Sequence, residues 1–264
     1  MSTPVPRPPR FRGGDAVADG RLDTGAEVRW NLAEEVPAAL TFNQESSVVM
    51  MVTPADLEDF AVGFAVSEGM VPSASDITRI DVLASANGYV IDIRANRLTE
   101  RAGRERLIAG RTGCGLCGVD SLEDAVRPPR PVARRFRLDA GAAGRALAAL
   151  PEHQPLNRLN HSVHAAAWCT PAGDILRARE DVGRHNALDK LLGSLLRDGL
   201  DPADGFIVLS SRCSFELVQK AAEAGVPYLA SISAPTTLAL TMSRDAGMGL
   251  ACLSPDGIVT FGAE

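Results

Sequence analysis

The run Arg111-Thr112-Gly113-Cys114-Gly115-Leu116-Cys117-Gly118 holds two thiols at C-x-x-C spacing, within reach of one another. The glycines around them leave the backbone free to turn and leave little bulk over the sulfurs. That arrangement suits a sulfur that must meet a metal, another sulfur or a partner protein. Arg111, if directed inward, favours the thiolate. Dithiol redox chemistry needs the pair at the first βα turn of a thioredoxin-like unit; here it follows a hairpin pattern in the first half. A zinc site needs two more ligands. His161 and His164 are on offer, but on a strand positions three apart face opposite ways, and the spacing fits no common finger. A zinc deaminase needs H-x-E with P-C-x-x-C; no H-x-E is present, and Gly113 precedes Cys114. A persulfide carrier, which takes sulfur from one protein and releases it to another acceptor, needs only an accessible thiolate. A tight turn that happens to hold two cysteines is the plain alternative.

Three further stretches each read as a strand end running into a helix start. They are Arg179-Glu180-Asp181-Val182-Gly183-Arg184-His185-Asn186, Ser210-Ser211-Arg212-Cys213-Ser214, and Ser231-Ile232-Ser233-Ala234-Pro235-Thr236-Thr237. In an open α/β sheet, ligands bind beyond the carboxyl ends of the strands, where helix N-termini offer free N–H groups. Asp181, Arg184, His185, Ser211, Arg212 and Ser233 are the candidate lining of a phosphate or nucleotide crevice there. The plainer reading makes Asp181, Ser214 and Ser233 helix caps. None of the three turns is a Walker loop or a Rossmann glycine fingerprint. His164 is a candidate hydrogen-bonded site residue and His161 an ordinary loop residue.

These residues need elements to hold them. Residues 1–22, rich in Pro, Arg and Gly, read as a disordered tail. The segment 23–130 reads as a smaller α+β part ending in the cysteine loop. It has strands over 26–52, then a helix capped by Thr53 with Pro54 in its first turn and Gly69 at its end. A hairpin turns at Asn87-Gly88, and a short helix lies near Asp120–Val126. Arg127-Pro128-Pro129-Arg130-Pro131 reads as a linker. In 131–264, a helix capped by Asp139 and two strands around Val163–Arg179 precede an alternation of helix and strand from Arg184 to Phe261. That alternation implies a largely parallel sheet covered by helices, an α/β fold.

Bulk properties narrow the function classes. The 264 residues suffice for a substantial core without disulfides or metal. Five cysteines is an odd count, and Cys169, Cys213 and Cys252 sit in or beside apolar runs, as small buried thiols do. A reducing cytoplasm is the expected setting. The N-terminus lacks an export-type apolar region, and no run approaches the roughly 20 residues of a membrane span. A net charge of -6 argues against a general nucleic-acid binder.

The sequence resembles the FdhD family of sulfur carriers required for formate dehydrogenase activity. Five ordered blocks carry the resemblance: Thr53–Gly69, Cys114–Gly118, Glu180–Lys190, Ser211–Lys220 and Ser233–Thr237. The resemblance implies a second half like the cytidine deaminase fold without its zinc site, α/β/α in layering. It implies a persulfide on Cys114, with Cys117 as its partner, loaded by a cysteine desulfurase. The sulfur then passes to the molybdenum of Mo-bis(molybdopterin guanine dinucleotide), for a formate dehydrogenase catalytic subunit or another molybdoenzyme. The family's C-terminal cofactor contact maps onto Leu253, Ser254, Pro255, Asp256, Gly257 and Ile258, where relatives usually carry an aromatic and an arginine. Relatives also read Ser-Gly-Arg where this chain has Ser210-Ser211-Arg212, and Thr-Gly-Gly near Asn160-His161-Ser162. A homodimer is plausible from the family. A non-catalytic chaperone of the cofactor or client, and a structural-zinc protein, are the competing classes.

Overall fold

The computed structural model describes residues 15–104 and 127–262. The cysteine loop, Arg111, and the short helix expected near Asp120–Val126 lie outside the described residues. The described chain is a mixed α/β fold built on three sheets.

Strands β1 (Asp15–Arg21) and β2 (Glu27–Ala33) form an antiparallel ribbon. Part of the tail expected over 1–22 is therefore a strand. The reason is local: Gly25, at φ 88°, lets the chain reverse and pair with β2. Strands β3 (Val36–Phe42), β4 (Ser46–Val52), β5 (Ile77–Ser85) and β6 (Gly88–Ala95) form a second sheet in the order β4-β3-β6-β5. In β3, Val36, Ala38, Leu40 and Phe42 are buried, the alternation of a strand with one covered face. The β5–β6 hairpin pairs Ser85 with Gly88, so its turn residues are Ala86 and Asn87. Gly88 itself runs against β3, where a Cβ would lie 2.0 Å from the Pro37 carbonyl oxygen.

Helix α1 (Leu57–Ser67) covers that sheet through Phe60, Ala61, Phe64 and Ala65. It begins later than expected. Asp56 takes the N-cap position in a left-handed conformation with no side-chain cap bond, and Pro54 precedes the helix. Thr53 is no cap either; its backbone and hydroxyl are engaged by the second half of the chain, as described below. A short helix α2 (Glu100–Arg104) ends this part of the described chain.

The third sheet has the order β12-β11-β10-β9-β7-β8, with β7 (His164–Cys169), β8 (Ile175–Asp181), β9 (Phe206–Leu209), β10 (Tyr228–Ser231), β11 (Gly249–Ser254) and β12 (Gly257–Phe261). It is mixed rather than largely parallel. Only β9–β10 and β10–β11 pair in parallel. The short connections β7–β8 and β11–β12 force hairpins, and β7 also runs antiparallel to β9. Alternate residues serve opposite faces. Ala166, Trp168, Ile207, Leu209, Leu229 and Leu250 join one core with α5 (Arg184–Arg197), α6 (Phe215–Glu223) and α7 (Thr237–Ala246). Ala165, Ala167, Phe206, Val208, Tyr228 and Ala230 join the other with α3 (Ala140–Ala149). The result is helix, sheet, helix in three layers. Asp139 caps α3 as expected, accepting the Ala142 N–H at 2.9 Å. A further short helix, α4 (Pro155–Asn160), lies beyond it.

Helix α1 meets α5 where both backbones come close. A Cβ on Gly63 would sit 1.7 Å from the Asp189 carbonyl oxygen, and one on Gly193 would sit 1.8 Å from that of Asp59. This reciprocal pair brings the Thr53–Gly69 block against the Glu180–Lys190 block.

Candidate functional site

The strand directions collect the three turns at one edge of the six-stranded sheet. Strands β9, β10 and β11 end there, β8 ends there beside them, and β7 begins there, with His164 paired to Asp181. The second and third turns are stitched together. Ile232 N–H donates to the Leu209 carbonyl at 3.2 Å, Thr236 N–H to that of Cys213 at 3.0 Å, and Cys213 bridges to Pro235. Ser210, which opens the second turn, ties it to β7, its hydroxyl accepting the Ala165 N–H at 2.7 Å. The edge is a built surface rather than three separate loops.

Asp181 is a strut within it. It is fully buried, pairs with Lys190 Nζ at 2.7 Å, and accepts from Thr53 N–H, Gly183 N–H and Asn186 Nδ2. Lys190 is equally buried and also donates to the Thr53 carbonyl oxygen at 2.9 Å. The Thr53 hydroxyl accepts the Val182 N–H. A second buried cluster lies behind the first. Lys220 on α6 meets Asp189 at 2.8 Å and Glu68 at 2.7 Å, and the Ser67 hydroxyl donates to Asp189 at 2.6 Å. Burial works to raise the Glu68 carboxyl, but Lys220, with Arg127 and Arg101 beyond it, overrides this and holds it at about 2. Asp59 adds Arg179 and Arg197 along the same seam. Every charge in this seam has a partner of opposite sign, the condition under which buried charges persist.

The edge itself is different. His185 is 7 % exposed, yet its Nε2 has no hydrogen-bond partner. The same holds for the buried Ser214 Oγ and Glu216 Oε2. His185 Nε2 stands 3.9 Å from Glu216 Oε2, close but beyond a hydrogen bond. Ser214 occupies the N-cap position of α6 but makes no side-chain capping bond. Burial tends to raise Glu216, while the donors His185 and Ser214 beside it outweigh that and hold its carboxyl at about 2. His164 is half-buried; burial, then the charges of Arg184 and His185, lower its pKa, which places these three groups in one neighbourhood.

Of the other expected lining residues, Ser211 is buried with its hydroxyl turned to the Arg212 carbonyl oxygen, and Arg212 is exposed. Ser233 is half-buried and is not the cap of α7; Thr236 is, accepting the Ala239 N–H. Leu253 to Ile258 form the β11–β12 hairpin at the same sheet edge, with Ser254 paired to Gly257 across the turn at Pro255 and Asp256. Leu253 is exposed, and Ile258 faces α3 at Gly144. His161 packs against Trp30 of β2 with the rings tilted and their centroids 5.9 Å apart. Cys114 and Cys117 lie outside the described residues. The other three cysteines are buried, and burial pushes the Cys169 and Cys213 thiols up to about 12.

Sequence reasoning missed Ser214 and Glu216 as site residues, and missed Lys190 and Lys220 as anchors. One signal was present: Glu216 falls two residues after Ser214, at a helix start, where a carboxylate belongs but where its side chain can also turn outward.

A family model described as FdhD/NarQ matches residues 33–259. The chain belongs to the FdhD/NarQ family. Among its relatives, a protein named sulfur carrier protein FdhD from Bordetella bronchiseptica is 45% identical over 91% of this chain and 86% of its own length. One of the same name from Chromobacterium violaceum is 48% identical over 87% of each. A solved Desulfotalea psychrophila chain, assigned as a formate dehydrogenase accessory protein, superposes with a TM-score of 0.71 at 23% identity. It covers 94% of this chain and 96% of its own, and at that identity it speaks for the fold. No helix among the described residues is long and apolar enough to cross a membrane.

Proposed function

We propose that this FdhD/NarQ-family chain is a sulfur carrier, a sulfurtransferase acting through Cys114. The Cys114 thiolate attacks the terminal sulfur of a cysteine desulfurase persulfide. A new S–S bond forms on Cys114, the desulfurase cysteine leaves as thiolate, and no net oxidation occurs. Cys117 assists or resolves the persulfide. The acceptor is the molybdenum of Mo-bis(molybdopterin guanine dinucleotide), held as substrate at the sheet edge for a formate dehydrogenase or related molybdoenzyme.

The observation that carries this reading is the match, over about nine-tenths of the chain, to relatives named sulfur carriers. Two features agree with it. Burial disfavours the thiolate at Cys169, Cys213 and Cys252, which leaves the C-x-x-C pair as the candidate nucleophiles. The edge also offers buried polar groups without partners, as a binding surface does before its ligand arrives.

The test is sulfane sulfur bound after incubation with a desulfurase and cysteine, read by intact mass. Wild type gains the mass of one sulfur and Cys114→Ala does not. Equal loading of the two removes Cys114 from the role. The unpartnered edge also suits a chaperone that binds the cofactor and moves no sulfur. In that case Cys114→Ala still restores client activity in a strain lacking the protein, whereas a carrier's variant does not.

A further inference from the structure

Glu68 takes the C-cap position of α1 and divides its two oxygens between two parts of the chain. Oε1 meets Lys220 Nζ of α6 at 2.7 Å. Oε2 meets Arg101 of α2 at 3.6 Å and Arg127 at 3.5 Å. These two arginines stand on either side of the segment 105–126, which carries Cys114 and Cys117. One oxygen therefore holds both flanks of the cysteine segment, and the other holds the body of the second half. The helix favours this gathering. A helix C-terminus attracts cations, and the last turn of α1 has no basic residue of its own; Arg101, Arg127 and Lys220 supply the charge from distant positions.

Each flank is fixed a second time. On the entry side, the Thr99 hydroxyl donates to the Gly69 carbonyl at 2.6 Å and the Thr99 N–H to that of Met70 at 3.0 Å, while Ala102 is buried in the core under α1. On the exit side, the amide oxygen of Gln219, one residue before Lys220, accepts from Arg127 Nε and Nη2 at 2.5 and 2.6 Å. Pro128, Pro129 and Pro131 then hold φ nearly constant, and the Val132 N–H donates to the Ala246 carbonyl at 2.8 Å. Part-exposed charge pairs at 3.5 and 3.6 Å add little to stability. What they fix is where the two flanks stand relative to α1 and α6, and α6 is the helix that starts at the sheet edge.

We propose that Glu68, acting through Arg101 and Arg127, is a positioning residue that sets the cysteine segment for delivery of its sulfur to the acceptor. This rests on the sulfur-carrier reading, and it divides that reading into two half-reactions. Loading comes from outside, and a desulfurase reaches the thiol wherever it stands. Delivery joins two parts of one molecule and its bound substrate, where a misplacement of about 1 Å costs on the order of a hundredfold in rate. The clasp serves delivery and leaves loading alone.

The test uses the full chain with Arg101→Gln and Arg127→Gln combined. Glu68→Gln would also take a partner from Lys220, whereas the arginine variants leave Lys220 on Glu68 and Asp189. Loading is read as sulfane sulfur by intact mass, after incubation with a desulfurase and cysteine. Delivery is read as client activity restored, at equal protein level, in a strain lacking the protein. The double variant loads at a rate within about twofold of wild type and restores on the order of tenfold less client activity. A spin-label pair supplies the reading that a purely structural role would not move. One label sits on Cys114 in a Cys117→Ser chain, the other at a Leu200→Cys substitution, an exposed position on the body; the buried Cys169, Cys213 and Cys252 stay unlabelled. The distance distribution between the labels broadens in the double variant while the melting temperature holds. The positioning role is overturned by client activity equal to wild type, by loading and activity that fall together, or by an unchanged distance distribution. A wild type that takes up no sulfur sinks the sulfur carrier and the delivery role with it. A wild type that loads, beside a variant that delivers equally, sinks the clasp alone.

Discussion

Glu216 and Lys220 lie four residues apart on α6, about 6 Å along the helix, and belong to two clusters with opposite habits. Lys220 faces the seam where α1, α5 and α6 meet, and there charge is paired with charge: Asp189 and Glu68 around Lys220, Asp181 around Lys190, Asp59 between Arg179 and Arg197. Glu216 faces the sheet edge, where His185 and Ser214 crowd its carboxylate without closing a hydrogen bond of full geometry. Both clusters come from the same sequence blocks, so block membership alone separates nothing. Satisfaction does. A buried polar group completed by the protein holds the fold, and one left open is offered to something else.

The comparison breaks most severely at the helix crossing that keeps the seam dry. Gly63→Val would drive a side chain into the Asp189 backbone, where even a Cβ falls 1.7 Å from the carbonyl oxygen. Neither flank is a flexible side chain that can yield, so the two helices must separate. The expected result is a protein that is not recovered folded, or one destabilised by more than about 4 kcal/mol in chemical denaturation. Gly225→Ala, where a Cβ would meet nothing within 4 Å but φ is 79°, costs far less, on the order of 1 kcal/mol.

Next in size is the seam's central pair. Lys190→Met keeps the stem and removes the charge, which leaves Asp181 fully buried beside backbone donors only and Asn186. Breaking a buried pair on one side costs about 3–5 kcal/mol. Circular-dichroism melts read this directly; a loss under 1 kcal/mol would mean that Asp181 keeps its solvation by another route and that the seam is not structural.

How much of this was legible beforehand follows from the same contrast. The helices and strands of the second half were, because apolar periodicity marks elements that bury a face. The edge was legible as a place, since strand ends followed by helix starts predict it. The seam was not. Asp189, Lys190 and Lys220 sit on helices whose charged residues normally face water, and nothing local in Asp59 or Glu68 names a partner more than 100 positions away. The glycines were the available signal. Gly63 in Phe60-Ala-Val-Gly-Phe64 and Gly193 in Leu191-Leu-Gly-Ser194 interrupt good helix formers at about 1 kcal/mol each relative to alanine, which usually marks a close approach. Thr53 was misread as a cap because its capping chemistry is the same whether the N–H it serves is local or belongs to Val182. Alternation of elements predicts a largely parallel sheet but does not show which strands are joined by short hairpins.

Acid reaches both clusters in the same pH range. Glu68 ionises near 2 in the folded chain against a usual 4.5, because Lys220 and two arginines overcome the burial that opposes them. Its contribution is complete above about pH 4.5, fades as the pH falls from there, and is gone below about 2; it is worth at most about 3 kcal/mol. Glu216 is held at about 2 as well, by His185 and Ser214 against its burial, so both carboxylates act in one pH window. Glu68→Gln flattens stability against pH between 4.5 and 2 and lowers it at neutral pH, since Lys220 loses a partner. Glu216→Gln flattens the same window and, by the same linkage, lowers neutral stability by at most about 3 kcal/mol.

The smallest expected effect is the sharpest. A serine at a helix N-cap normally costs about 1 kcal/mol when replaced by alanine, because its oxygen completes an orphan N–H of the first turn. Ser214 holds that position on α6, but its oxygen completes nothing in the helix. If the hydroxyl is kept for a ligand, Ser214→Ala leaves the denaturation midpoint almost unmoved, within about 0.5 kcal/mol, or raises it by removing an unsatisfied buried atom. Thr236→Ala is the control on the same edge, since Thr236 does cap α7; it loses the ordinary ~1 kcal/mol. An ordinary capping loss at both positions would return Ser214 to the architecture and leave His185 and Glu216 as the open groups of the edge.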